Sequence, residues 1–382
     1  MTDETTDPKP ANTPAADSAS TEEAAQPKER FREVRYKHST HFVPILDKLG
    51  ATLLVSTYAA GKLAVIGTYN GELDLTFNNF EQAMGVAVSP KQMAVGARGQ
   101  IWFLENGQEL ARKIEPQGKY KLCYLTRTSF VTGNIHVHEL VWADNELWIV
   151  NTFFSCLCTL QPGFSFVPRW QPPFVTELQG EDRCHLNGLA VDNGKPRYVT
   201  MMAESNQVAG WRETKSTSGL VMDVASGEVV TRGLAMPHSP RIYQHKLWVL
   251  NSGLGALETV DLDSGKRTTV ETMPGYTRGL AFCGPFAFVG LSRIRETAVF
   301  GGVPIAENRD ELRCGVAIVD LRSGQSVAYI QFETGIEEIF DVQVVPNIRC
   351  MSVTGPFPVH DGVNDVWVLP NPAQIKNLSR DE

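Results

Sequence analysis

From residue 51 onward, short runs of Val, Leu, Ile, Phe, Tyr and Trp alternate with Gly, Asn, Asp and Pro, and no long stretch of helical periodicity interrupts them. Apolar runs of that length, bounded by turn formers, predict β-strands throughout and an all-β sandwich, barrel or propeller. One strand pattern recurs. Cys184-His185-Leu186-Asn187-Gly188-Leu189-Ala190-Val191 lies without a gap over Ile135-His136-Val137-His138-Glu139-Leu140-Val141-Trp142 and over Pro237-His238-Ser239-Pro240-Arg241-Ile242-Tyr243-Gln244. This overlay puts His136, His185 and His238 at one repeat position. Three further segments fit with other residues there: Gln82 before Met84-Gly85-Val86-Ala87, Tyr276 before Arg278-Gly279-Leu280-Ala281, and Glu338 before Phe340-Asp341-Val342. Six copies at spacings of about 40 to 60 residues predict a repeat architecture.

The remaining strands select the propeller. A second apolar strand follows the first at 147–151, 197–200, 247–251 and 286–290. A third ends in a recurring turn, Asp223-Val224-Ala225-Ser226-Gly227, Asp261-Leu262-Asp263-Ser264-Gly265 or Asp320-Leu321-Arg322-Ser323-Gly324. Asp and Ser can bond back to such a turn, and Gly supplies its positive φ. A fourth strand comes next, at 228–230, 267–270 and 326–330. Four antiparallel strands repeated six times predict a six-bladed β-propeller. Strands at 53–58, 62–69 and 72–77 have no inner strand before them, and the inner strand near 341–345 has too little chain after it. Joined, they complete one blade and close the ring. Residues 348–370 have no assigned strand, which leaves seven blades as the alternative.

Outside the repeats, residues 1–30 are rich in Thr, Ala, Pro, Glu and Asp and predict a disordered tail. Residues 31–50 read as a basic-aromatic stretch and a short helix, with Pro in its first turn and Gly after its last residue. Residues 51–370 then form a single propeller domain, and 371–382 a C-terminal tail. A hydrophobic content of 42% is enough for a substantial core. The net charge of −8, with no Lys/Arg-rich run, argues against nucleic acid. No apolar window reaches the roughly 18 residues of a membrane span. The polar N-terminus shows no signal peptide, and seven scattered cysteines suit reduced thiols, so a cytoplasmic location is expected.

The first strand of each blade lines the channel of a propeller, so residues at equivalent starts form a ring around one opening. His136, His185 and His238 would meet there, with Gln82, Tyr276 and Glu338 completing the circle. Imidazoles from neighbouring strands can hold one divalent metal and leave positions for water or substrate, and Fe(II) or Zn(II) is the expected cofactor. His138, two residues past His136, shares its strand face and competes as the ligand. Glu338 and Tyr276 are the candidates for moving protons. Asn187 and Arg278 sit just inside the channel, where with Gln82 they can touch substrate. Long loops at 203–218, 293–313 and 355–364, and the connection 162–183, open on the same face. They carry Trp211, Arg212, Lys215, Arg293, Arg295, Arg169 and Trp170, suited to an anionic or polar substrate against an aromatic wall. The bland alternative is that duplicated blades keep histidine for packing or channel hydrogen bonds. Cys156-Leu157-Cys158 lacks the second cysteine pair of a zinc ribbon. Cys184 and His185, as strand neighbours, point to opposite faces.

The motifs Ile-His-Val-His-Glu-Leu (135–140), Arg-Cys-His-Leu-Asn-Gly-Leu (183–189), Met-Pro-His-Ser-Pro-Arg (236–241) and Gly-Tyr-Thr-Arg-Gly-Leu-Ala-Phe (275–282) resemble a bacterial family of conserved hypothetical propeller proteins. The resemblance spans roughly residues 40–370, implies the fold and brings no activity. In the geometry of its histidines alone, the chain is also similar to two kinds of metal-centred propeller: peptidyl-hydroxyglycine amidating lyases, with three histidines, and carotenoid-cleaving oxygenases, with four on iron. The main expectation is a metal-dependent oxygenase or hydroxylase acting on a small molecule or peptide side chain. A metal-dependent lyase or hydrolase is one alternative. A non-catalytic propeller binding a protein, peptide or glycan through its loop face is the other.

Overall fold

The computed structural model of the chain describes residues 33–294, 301–370, 372 and 375. The tail expected at 1–30, Arg295 and all but two residues of the tail expected at 371–382 lie outside the described residues. Among those described, the strands form six sheets, each containing one inner strand. In ring order the inner strands are Val86–Val88, Val137–Ala143, Leu186–Asp192, Pro237–Tyr243, Tyr276–Cys283 and Asp341–Val345, which we number blades 1 to 6. In blades 1 to 5 the next three strands follow in chain order, each antiparallel to the last. Blade 6 joins the two ends of the chain. Its inner strand pairs antiparallel with Thr52–Thr57, with Ser56 opposite Asp341, and Lys62–Tyr69 and Glu72–Asn79 complete it. The protein is a six-bladed β-propeller.

Residues 348–370 do not add a seventh blade. Met351–Thr354 runs parallel to Leu122–Val131 on the outer edge of blade 1, and Tyr36–His38 extends blade 5 as an antiparallel edge strand. The Asp-to-Gly turns form as their residues dictate. Asp223, Asp261 and Asp320 each accept a backbone N–H of the turn through Oδ1, at 2.8 to 3.0 Å. Gly227, Gly265 and Gly324 take φ of 73°, 68° and 71°. The helix Phe42–Leu49 ends at left-handed Gly50, and its buried Phe42, Val43 and Leu46 pack on blades 5 and 6.

Strand alternation explains the apolar runs. In blade 6, Leu53, Val55, Ala64 and Ile66 face blade 5, while Leu54, Leu63 and Val65 face blade 1. Both faces are covered, so both sets of positions are apolar; each such Leu, Val or Ile side chain contributes about 1.5–3 kcal/mol.

In the bore, even and odd blades differ. Buried Glu139 of blade 2, half-buried Arg241 of blade 4 and buried Asp341 of blade 6 form one network. Arg241 Nη2 bonds Glu139 Oε1 and lies 3.9 Å from Asp341 Oδ1. Each even blade also supplies an acceptor to a backbone N–H of the next odd one. Glu139 takes Leu189 N at 3.0 Å, Asp341 takes Val86 N at 2.9 Å, and Ser239 Oγ takes Gly279 N at 3.1 Å. Burial raises the carboxyl pKa of both Glu139, to about 7 with Arg241 opposing, and Asp341. For a carboxyl raised on folding, the favourable contribution is complete below its ordinary value of 4.5 and is lost as pH climbs through about 7. Chemical denaturation between pH 5 and 8 is therefore expected to show stability falling with pH, and Glu139→Gln to flatten that slope. An unaltered slope in the variant refutes the assignment.

Candidate functional site

The start of an inner strand is a special backbone position in this protein. Gln82, His136, His185 and Met236 all enter their strands in the left-handed region, at φ of 53°, 53°, 51° and 50°. That region costs a non-glycine residue about 1–3 kcal/mol and is held only where surrounding structure enforces it. Pairing then fixes equivalence. Val137 lies opposite Asn151 and Pro237 opposite Asn251, so His238 corresponds to His138, and Met236 takes the place of His136. The ungapped overlay had matched His238 with His136. Blade 2 carries histidine at both positions, so an overlay two residues out still aligns histidine with histidine.

The equivalence extends to hydrogen bonding. His138 Nδ1 lies 3.2 Å from His136 O, and His238 Nδ1 lies 3.0 Å from Met236 O. A carbonyl can only accept, which assigns the proton to Nδ1 and leaves Nε2 a bare lone pair in both rings. His238 Nδ1 is also 3.0 Å from Ser252 Oγ. His185 is held another way: its Nδ1 lies 2.9 Å from Asp182 Oδ2, an oxygen that also accepts Trp211 Nε1 at 3.1 Å. The Trp211 ring covers the His185 ring, with centroids 4.3 Å apart. Burial, reinforced by Arg278, drives His138 and His238 well below the ordinary imidazole pKa, so both are neutral at pH 7. Burial also lowers His136, whose ring packs on Phe153 at 5.4 Å.

These rings share one cavity of about 290 Å³, at the bore end where the inner strands begin. His136, His138, His185 and His238 line it together with Tyr276, Arg278 and Glu338. Its apolar wall is Tyr58, Trp211, Phe340 and the methionines Met84, Met202 and Met236. Arg278 is buried with its guanidinium 3.3 Å above the Phe340 ring centroid. Its Nη1 is 3.7 Å from Glu338 Oε1, too far for a hydrogen bond, and its Nη2 is buried without a partner. Burial lowers its pKa. Burial also raises that of Tyr276, which keeps its proton and acts as a donor rather than a base.

The other candidates lie elsewhere. Gln82 heads blade 1 without lining the cavity, and Asn187 is buried with Oδ1 accepting Thr200 Oγ1 at 2.7 Å. Arg293 lies outside the cavity, Lys215 donates to Arg212 O, and Arg169 pairs with Glu146. Trp170 ends the outer strand of blade 2. Arg212 does reach the cavity, stacked 5.0 Å from the Trp211 ring. Sequence reasoning missed Asp182 and Tyr58. Asp182, three residues before His185, was open to reading as its acceptor. Among the described residues, no three His, Cys, Asp or Glu side chains stand close enough to hold a metal ion. The His138 and His185 rings meet edge to face at 4.9 Å.

Residues 40–354 match the family model described as "Domain of unknown function (DUF4915)". No curated protein matches the sequence. Among solved structures, a chain of the nidogen/laminin complex is similar with a TM-score of 0.50 at 10% identity, over 78% of this chain and 100% of that one. TolB from Acinetobacter baumannii gives 0.45 at 12% identity, over 78% of this chain and 66% of its own. Identities this low speak to the fold alone.

Proposed function

We propose that this chain, which belongs to the DUF4915 family of domains of unknown function, is a binding propeller whose axial pocket takes a small anionic ligand. The observation that carries this reading is Arg278 Nη2, buried beside the cavity with no partner. A buried polar group left unsatisfied costs about 1–3 kcal/mol, more when charged. A carboxylate or phosphate drawn against this guanidinium would offset its buried charge, and the fork of donors suits either group. Nidogen/laminin is a complex between proteins, which supports binding as a use of this fold and names no partner here. All seven cysteines are free thiols, in keeping with a reducing, cytoplasmic location. The test is calorimetric titration of the full chain with acetate, benzoate, succinate and inorganic phosphate. At least one should bind, and Arg278→Met should weaken it at least tenfold. No binding, or equal binding by the variant, rejects the reading.

A second reading rests on the three Nδ1 bonds. Metal-bound imidazoles characteristically donate their other nitrogen to a carbonyl or carboxylate, as His138, His238 and His185 do here. Zn(II) or Fe(II) would require the rings to move closer together. An oxygenase, lyase or hydrolase of this kind would use Glu338 for proton transfer, because Tyr276 stays protonated. Metal analysis of untagged protein decides. About one ion per chain, lost in the His185→Ala, His238→Ala double variant, supports it; no stoichiometric metal and a Tm indifferent to chelator reject it.

A further inference from the structure

The cavity presents two kinds of chemistry. On one side is a donor group, the Arg278 guanidinium, whose buried Nη2 has no partner. On the other are acceptors: the bare Nε2 atoms of His138 and His238, and the carboxyl oxygens of Glu338. A plain anion would satisfy the first set and set its own lone pairs against the second. Across the charged residues of the lining, Arg278 and Arg212 stand against Glu338 and Asp182, so the pocket favours no net charge in its occupant. From this juxtaposition, and resting on the anion-binding reading above, we infer that the ligand is a free α-amino acid. Its carboxylate meets Arg278, and its ammonium group meets the imidazole nitrogens and Glu338.

Size and wall narrow the class. A cavity of about 290 Å³ has room for one amino acid. Trp211, Phe340 and Tyr58 offer aromatic faces, and Met84, Met202 and Met236 adapt to irregular shapes. An apolar or aromatic side chain fits such a lining.

The experiment titrates the full chain with L-leucine, L-methionine and L-phenylalanine, and with the N-acetyl and carboxamide derivative of each. At least one free amino acid should bind, and both blocking groups should weaken it tenfold or more. Arg278→Met should lose the free and the N-acetylated acid alike. Glu338→Gln should weaken the free amino acid and its carboxamide and leave the N-acetyl derivative unaffected, with an unchanged melting profile showing that the fold is intact. An N-acetyl derivative that binds as well as its parent overturns the amino-acid inference and leaves the anion reading standing. If none of the nine binds, the inference falls, and the anion reading falls with it only if the simple anions also fail.

Discussion

Glu139→Ala is expected to destabilise the protein by about 3–5 kcal/mol, the usual result of removing one partner from a buried ion pair. Two losses combine. Arg241 keeps its charge inside the bore with only Asp341, 3.9 Å away, to answer it. The Leu189 N–H, which now donates to Glu139 Oε2, is left without that acceptor. Glu139→Gln retains an acceptor and should cost less than half as much. Replacing Glu139 and Arg241 together by methionine should cost less than the alanine change alone, because no unpaired charge then remains. Urea unfolding of the four proteins measures all of this. A single alanine variant within 1 kcal/mol of the parent would show that the network is solvated and that the blades hold together without it.

What the chain discloses unaided follows from which interactions are local. The Asp-to-Gly turns, the short apolar strands and the unpaired strands at the two ends are local patterns, and they were enough to predict six blades, with seven as the alternative, and a ring closed by joining 53–58 to the inner strand near 341–345. The placement of Met351–Thr354 was not legible, because its partner at Leu122 is far away in the chain and outer-edge pairing leaves little apolar signal. The gathering of imidazoles at one opening was readable from the repeat, as were Tyr276, Arg278 and Glu338 beside them. The register of His238 was not, since a histidine two residues away in blade 2 masked the offset. Tyr58 reaches the cavity from the closing blade, and Arg169 and Lys215 are drawn off by partners that only the folded chain brings near.

Gly279→Ala is expected to cost about 3–5 kcal/mol, and the reason was visible in the sequence without being interpretable there. The odd blades read Gly85-Val86-Ala87, Gly188-Leu189-Ala190 and Gly279-Leu280-Ala281, where the even blades carry the side chains of the buried network. A Cβ on these glycines would stand 2.8 Å from Glu139 Cα, 2.4 Å from Pro240 Cδ and 2.5 Å from Val342 N respectively. Each thus lets the next even strand approach. Gly279 has a further demand, a φ of +81°, which an L side chain rarely adopts. Its obstacle is backbone, which cannot rotate aside as a side chain does, so blades 5 and 6 must part where the ring closes. Gly71→Ala isolates the conformational share, since Gly71 has φ +78° and nothing within 4 Å of its Cβ. That control should lose about 1–2 kcal/mol. The excess loss at Gly279, by denaturant unfolding or by failure to recover soluble protein, measures the cost of separating the blades; equal losses at the two sites would mean the inner strands are not in close contact.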